Sequence, residues 1–148
     1  MRSDGYLERN LASHPEDGMD ERGGDRARSY RELRAWQRAM ELAVECHVLA
    51  ERVRRRNPSL AGQLLRAATS VPANIADGNG RRTRPDYLRH LSIANGSLLD
   101  LETHIMLAAR FSLVQQHEIQ RALSLSSVVG RLLAGLIRRL REDPEHRP

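Results

Sequence analysis

Ile119-Gln-Arg-Ala122-Leu-Ser-Leu-Ser126-Ser-Val-Val129-Gly-Arg-Leu-Leu133-Ala-Gly-Leu136-Ile-Arg-Arg-Leu140 sets small or apolar side chains at intervals of three and four over 22 residues. Ile119, Ala122, Ser126, Val129, Leu133, Leu136 and Leu140 make a strict heptad. A strand would repeat every two residues; a seven-residue repeat keeps one seam on one face of a helix. Such a seam is buried against other helices crossing at about 20°.

Three more stripes of this kind lie upstream. Leu91, Leu98 and Ile105 recur every seven residues, interleaved with Ala94, Leu101 and Ala108. Thr83, with Asp86 three residues on, marks the start of that helix. Ala61, Leu64, Ala68, Val71 and Ile75 form a second stripe, opened by Asn57-Pro58 and closed by Gly78 and Gly80. Pro72 falls inside it, removing one backbone donor, so a kink is expected there. The first helix is expected from Ser29 as N-cap with Glu32 completing a capping box. Its buried stripe then reads Leu33, Trp36, Met40, Ala43, His47 and Ala50. Short linkers force antiparallel neighbours, so the expected fold is all-α, an antiparallel up-down four-helix bundle.

The bundle spans 29–141. Residues 1–28 mix Gly, Asp, Glu and Arg without apolar periodicity and read as a disordered, dispensable tail, with Met19 an alternative start. Residues 142–148 read likewise. With no apolar leader and no membrane-length stretch, a cytoplasmic location and no membrane partner are expected. Cys46, the sole cysteine, excludes an internal disulfide.

Aromatic residues make up only 3% of the chain, consistent with helix rather than sheet. Trp36 and Phe111 are expected in the core. Helix four offers Leu123, Leu125, Val128, Leu132 and Ile137 beyond its stripe, and helix three adds Tyr87, Ile93 and Leu99. A lone bundle buries about one stripe per helix, so this surplus points to self-association, or else to a wider stripe within one monomer.

Catalytic chemistry finds no foothold. No Glu stands three residues before any of the six histidines, as a di-metal carboxylate bundle would need. Asp86 with His90, and Asp100 with His104, share helix faces and read first as ion pairs, second as metal ligands. The chain has neither a G-x-S-x-G elbow nor a Walker loop. The expectation is a non-enzyme with no cofactor.

What the sequence does supply is arginine. All 24 basic residues are Arg, and residues 29–141 hold eighteen of them against nine carboxylates. A domain carrying that excess attracts polyanions. Arg52, Arg54, Arg55 and Arg56 end helix one; Arg81, Arg82, Arg84 and Arg89 surround the second linker; Arg138, Arg139 and Arg141 end helix four. The first and last groups also complement helix dipoles. An up-down bundle brings the second and third groups to one pole, so Arg81, Arg82, Arg84, Arg89, Arg138, Arg139 and Arg141 are the candidate nucleic-acid-binding residues. With few aromatics to stack on bases, RNA or DNA would be held mainly through phosphates.

Several segments together resemble a known family: Leu33-Arg-Ala-Trp36-Gln-Arg-Ala39, Gln63-Leu-Leu-Arg66-Ala-Ala, Ser70-Val-Pro-Ala-Asn74-Ile-Ala-Asp77-Gly78, Arg82-Thr-Arg-Pro-Asp-Tyr-Leu-Arg-His-Leu91 and Ile93-Ala-Asn-Gly96-Ser97. They are similar to the proteins of 23S rRNA intervening sequences, relatives of the accessory variability determinant of diversity-generating retroelements. The resemblance covers about 29–141 and implies a four-helix bundle assembled as a ring-like homopentamer. In the retroelement branch it implies a basic barrel serving a reverse transcriptase and nucleic acid. Asn74 and Asp77 match the family's polar pair at the end of helix two, where they would fix the loop carrying Arg81 and Arg82. Asn95 stands where the family is often basic, and Asp77 and Asp100 where it often has Glu. Two functions follow as expectations: a homo-oligomeric adaptor binding nucleic acid, or an oligomeric protein scaffold whose basicity is incidental.

Overall fold

The computed structural model describes residues 29–142; the expected tail 1–28 and residues 143–148 of the expected tail 142–148 lie outside the described residues, whereas Glu142 is the last residue of a helix. A 3-10 turn, Tyr30–Glu32, leads into four helices: α1 (Arg34–Arg54), α2 (Pro58–Asn79), α3 (Arg84–Arg110) and α4 (Gln116–Glu142). Each helix packs on its chain neighbours and α4 closes onto α1, leaving α1 and α3 as one diagonal and α2 and α4 as the other. The Arg52–Glu118 ion pair (2.8 Å) joins the end of α1 to the start of α4, so those helices are antiparallel. One pole thus holds the start of α1, the α2–α3 linker and the end of α4. The other holds the α1–α2 and α3–α4 linkers.

The helix boundaries follow local chemistry. Asn57 accepts from the Leu60 N–H (3.0 Å) and Pro58 occupies the first turn of α2. Thr83 caps α3 through the Asp86 N–H at 3.3 Å. In front of α4, Glu118 accepts from the Gln115 N–H at 2.7 Å, half of a capping box. That bond, and next the charge of Arg52, hold its carboxyl below the usual glutamate range. The α3–α4 turn is a Schellman motif. The Leu113 N–H reaches back to the Ala108 carbonyl and the Ser112 N–H to Ala109, both at 3.0 Å. Ser112 takes the left-handed position, φ 58°, that glycine usually fills.

The stripes of α2, α3 and α4 are buried as expected, with only Leu140, at the end of α4, half-exposed. Helix α2 continues through Pro72, itself buried. Helix α1 departs from expectation. Ser29 caps the 3-10 turn and α1 starts after Leu33, with Ala35, Ala39, Leu42, Cys46, Leu49, Ala50 and Val53 inward. Met40 and His47 are exposed. The inward alanines let α1 pack closely, while Trp36 is half-buried and meets Tyr30 edge-on with ring centroids 5.2 Å apart. Burial, and then Glu45, push the Cys46 thiol up to about 12.

Two other expectations fail. Phe111 caps the end of α3 and is 53% exposed, because the chain turns at Ser112 before its ring can enter the core. Tyr87 is fully buried. Most of the apolar surplus of α4 is taken up within the chain: Leu125 is buried, and Leu123, Leu132 and Ile137 are partly buried against the core. Outward apolar residues remain on the diagonal pair, Met40, Val44 and Val48 on α1 and Ile93, Leu99 and Met106 on α3. Among the described residues no helix is long and apolar enough to cross a membrane.

Candidate nucleic-acid interface

The pole shared by the α2–α3 linker and the end of α4 is built from a tight helix crossing. Gly78 is buried where α2 meets the first turns of α3; a Cβ there would lie 2.9 Å from both the Cβ of His90 and Cδ2 of Tyr87. Only glycine allows that approach. The Tyr87 hydroxyl donates to Asn79 Oδ1 at 3.3 Å. Buried His90 has Nδ1 2.9 Å from the Asp86 carbonyl and Nε2 3.0 Å from Asp77 Oδ2. The Asp86–His90 pair therefore meets through the backbone, not as the ion pair expected from their spacing.

Asp77 also receives Arg81 Nη2 on both carboxylate oxygens, at 2.9 and 3.0 Å. The bonded Arg81 guanidinium, with His90 beside it, holds the Asp77 carboxyl below the usual carboxylate range. Asp77 is thus tied to the linker through Arg81 and to α3 through His90. Asn74 does not reach the loop. Its Nδ2 turns back to the Ser70 carbonyl and Oγ, at 2.9 and 3.0 Å, one turn before the linker. Ser70 Oγ in turn lies 2.8 Å from Ser97 Oγ, so this polar group fastens α2 to α3 mid-helix. The family-like pair is divided between two jobs because a helical turn separates its members from the same exit.

The seven candidate arginines divide in the same way. Arg84 Nη1 donates to the Leu140 carbonyl at 2.9 Å, clasping the last turn of α4 and joining the two arginine groups across 56 residues. Arg81 is engaged by Asp77, and Arg139 is also engaged. Arg82, Arg89, Arg138 and Arg141 are exposed and have no hydrogen bond or ion pair among the described residues. Arg138 and Arg141 border a groove between α3 and α4 that is also lined by Leu88, Ser92, Asn95, Ala134, Ile137 and Glu142. Arg89 does not line the groove. Such a groove presents two unengaged positive forks, a hydroxyl and an amide to an anion. Leu88, Ser92 and Ala134 escape a reading of the sequence, since a seam between two helices is not written in either stripe alone.

At the opposite pole the arginines are mostly consumed. Arg52 pairs with Glu118, Arg54 with Glu51 at 2.9 Å, and Arg56 donates to the Ser112 carbonyl at 3.0 Å. On the outer seam of α2 and α3, Asp100 and His104 line a shallow recess with Arg66, and His104 Nδ1 is buried without a partner. The ion pair expected between Asp100 and His104 is not formed. Among the described residues no cluster of three His, Cys, Asp or Glu could hold a metal.

The sequence profile described as 23S rRNA-intervening sequence protein matches residues 31–135. Among solved structures, a protein of unknown function from the S23 ribosomal protein family of Bacteroides thetaiotaomicron is similar, with a TM-score of 0.66 and 23% identity. That match covers 70% of this chain and 98% of the other, and shows the shared fold. No curated protein matches.

Proposed function

The chain belongs to the 23S rRNA-intervening sequence protein family, and we propose that it is a non-catalytic, homo-oligomeric adaptor holding RNA or DNA phosphates at its arginine pole. The observation that carries the reading is the set Arg82, Arg138 and Arg141, exposed at one end of the bundle and without internal partners among the described residues. Two of the three border the α3–α4 groove. Arg81 and Arg84 support the site at one remove by fixing the linker and the last turn of α4.

Self-association is supported by the diagonal placement of the exposed apolar residues. Met40, Val44 and Val48 lie four residues apart on the outer face of α1, and Leu99 and Met106 lie on the outer side of α3. Complementary faces on opposite sides of one chain favour a head-to-tail contact, which closes into a ring when the rotation allows. A homopentameric ring is the assembly proposed. Val44, 66% exposed, tests it: Val44→Glu should reduce the mass seen by light scattering to that of a 16.8 kDa chain. A wild-type protein already of that mass would overturn the oligomer.

Nucleic-acid binding is tested by fluorescence anisotropy with a structured RNA and a DNA duplex across a salt titration. Binding should weaken steeply as salt rises. Arg82→Ala/Arg138→Ala/Arg141→Ala should reduce the slope of log affinity against log salt by about 2 to 3, near one for each phosphate no longer neutralised. Unchanged slope and affinity would remove the pole as the site.

A further inference from the structure

The residues outside the bundle bear on this pole. Residues 16–25, Glu-Asp-Gly-Met-Asp-Glu-Arg-Gly-Gly-Asp, carry five carboxylates against Arg22 alone, a net charge of −4. The rest of residues 1–28 is basic on balance, so the acid is concentrated in one block. The bundle begins at Ser29, and the start of α1 shares its pole with the α2–α3 linker and the end of α4. The block is therefore tethered at the end of the molecule where Arg82, Arg138 and Arg141 stand exposed, and away from the pole where Arg52, Arg54 and Arg56 are engaged.

Reach is sufficient. Ser29 lies thirteen residue steps after Glu16, and an extended chain of that length spans roughly 45 Å. Neighbouring helix axes in a bundle lie only about 8–10 Å apart. Tethering places the block at an effective concentration on the order of millimolar. Residues 142–148, by comparison, hold three carboxylates against Arg147, half the net charge of the block.

We propose that residues 16–25 dock on the arginine pole as an internal polyanion and compete there with nucleic acid. The inference rests on the phosphate-binding reading of that pole. The segment lowers apparent affinity by the fraction of time it occupies the arginines, and its grip weakens with salt as the external ligand's does. Long polyanions of high charge density displace it; short or sparse ones do not.

The test uses the full chain and a variant with Glu16, Asp17, Asp20, Glu21 and Asp25 changed to Gln or Asn, which leaves residues 29–142 untouched. The variant should bind a structured RNA about 3- to 10-fold more tightly at low salt, and the ratio should fall toward one as salt shortens the Debye length. Equal or weaker affinity in the variant, with the wild type still binding, would sink the inference and leave the nucleic-acid function standing. A second readout needs no RNA. A nitroxide on Gly18→Cys, with Cys46 fully buried and out of reach of the label, should broaden the NMR signals of residues 80–90 and 136–142 at low salt and release them at high salt. Broadening without RNA binding by either protein would overturn the function while establishing the docked segment. Absence of broadening would overturn the docking whatever RNA does.

Discussion

Gly78→Ala should destabilise the protein although alanine is the better helix former. The substitution gains up to about 1 kcal/mol of helix propensity in an open helix interior. Here the added methyl would meet His90 Cβ and Tyr87 Cδ2, each at 2.9 Å, with the Tyr87 carbonyl at 3.3 Å. Neither side chain can swing away cheaply: both are buried, and His90 is bonded at both ring nitrogens. Overpacking of this kind costs about 1–3 kcal/mol, so the clash outweighs the propensity gain by up to about 2 kcal/mol. For a bundle of this size that corresponds to a fall in Tm of up to about 8 °C. Gly62→Ala, on the same helix with nothing within 4 Å of its Cβ, isolates the propensity term. It should raise Tm by about 2–4 °C. Both variants are melted by circular dichroism at one protein concentration, so that the proposed self-association bears on both alike. A Gly78→Ala protein melting at or above wild type would refute the close crossing of α2 and α3.

Two further outcomes follow from the helix ends. Ser112→Gly should stabilise the protein by about 1 kcal/mol, since a left-handed residue with a Cβ carries a penalty that glycine lacks; urea midpoints at constant m-value check it, and a lower midpoint would speak against it. Asp77→Asn should lower Tm at neutral pH, with the gap closing in acid. The Asp77 carboxyl is held below its ordinary value in the folded chain, so its contribution is fully present above about pH 4 and is lost as pH falls through the folded value. A gap of constant size from about pH 6 to pH 2 would contradict that coupling.

The stripes of α2, α3 and α4 were legible because large aliphatic residues recur among the inward positions at heptad spacing, with alanine and one serine between them. Helix α1 inverts that cue. Its inward positions near the start are Ala35 and Ala39, whereas bulky Trp36 and Met40 stand one step round the helix. Reading size as burial shifts the register by one residue. Gly78 was legible as a stop signal but not as a close approach, because that role depends on Tyr87 and His90 across the linker. The arginine pole was legible as a charge cluster. Which members remain available was not, since the partner of Arg84 is a backbone carbonyl 56 residues away, and that of Arg81 emerges only once α2 is known to continue to Asn79.

An even number of antiparallel helices has a practical outcome for anyone handling the molecule. The bundle is entered at Ser29 and left at Glu142, and both points sit at the arginine pole. An affinity tag, fluorescent protein or surface anchor fused at either of these points would therefore crowd the pole proposed to bind nucleic acid. The far end is crossed only by the short connections around 55–57 and 111–115. A reporter meant to leave the arginines clear belongs in the second of these, beside Ser112.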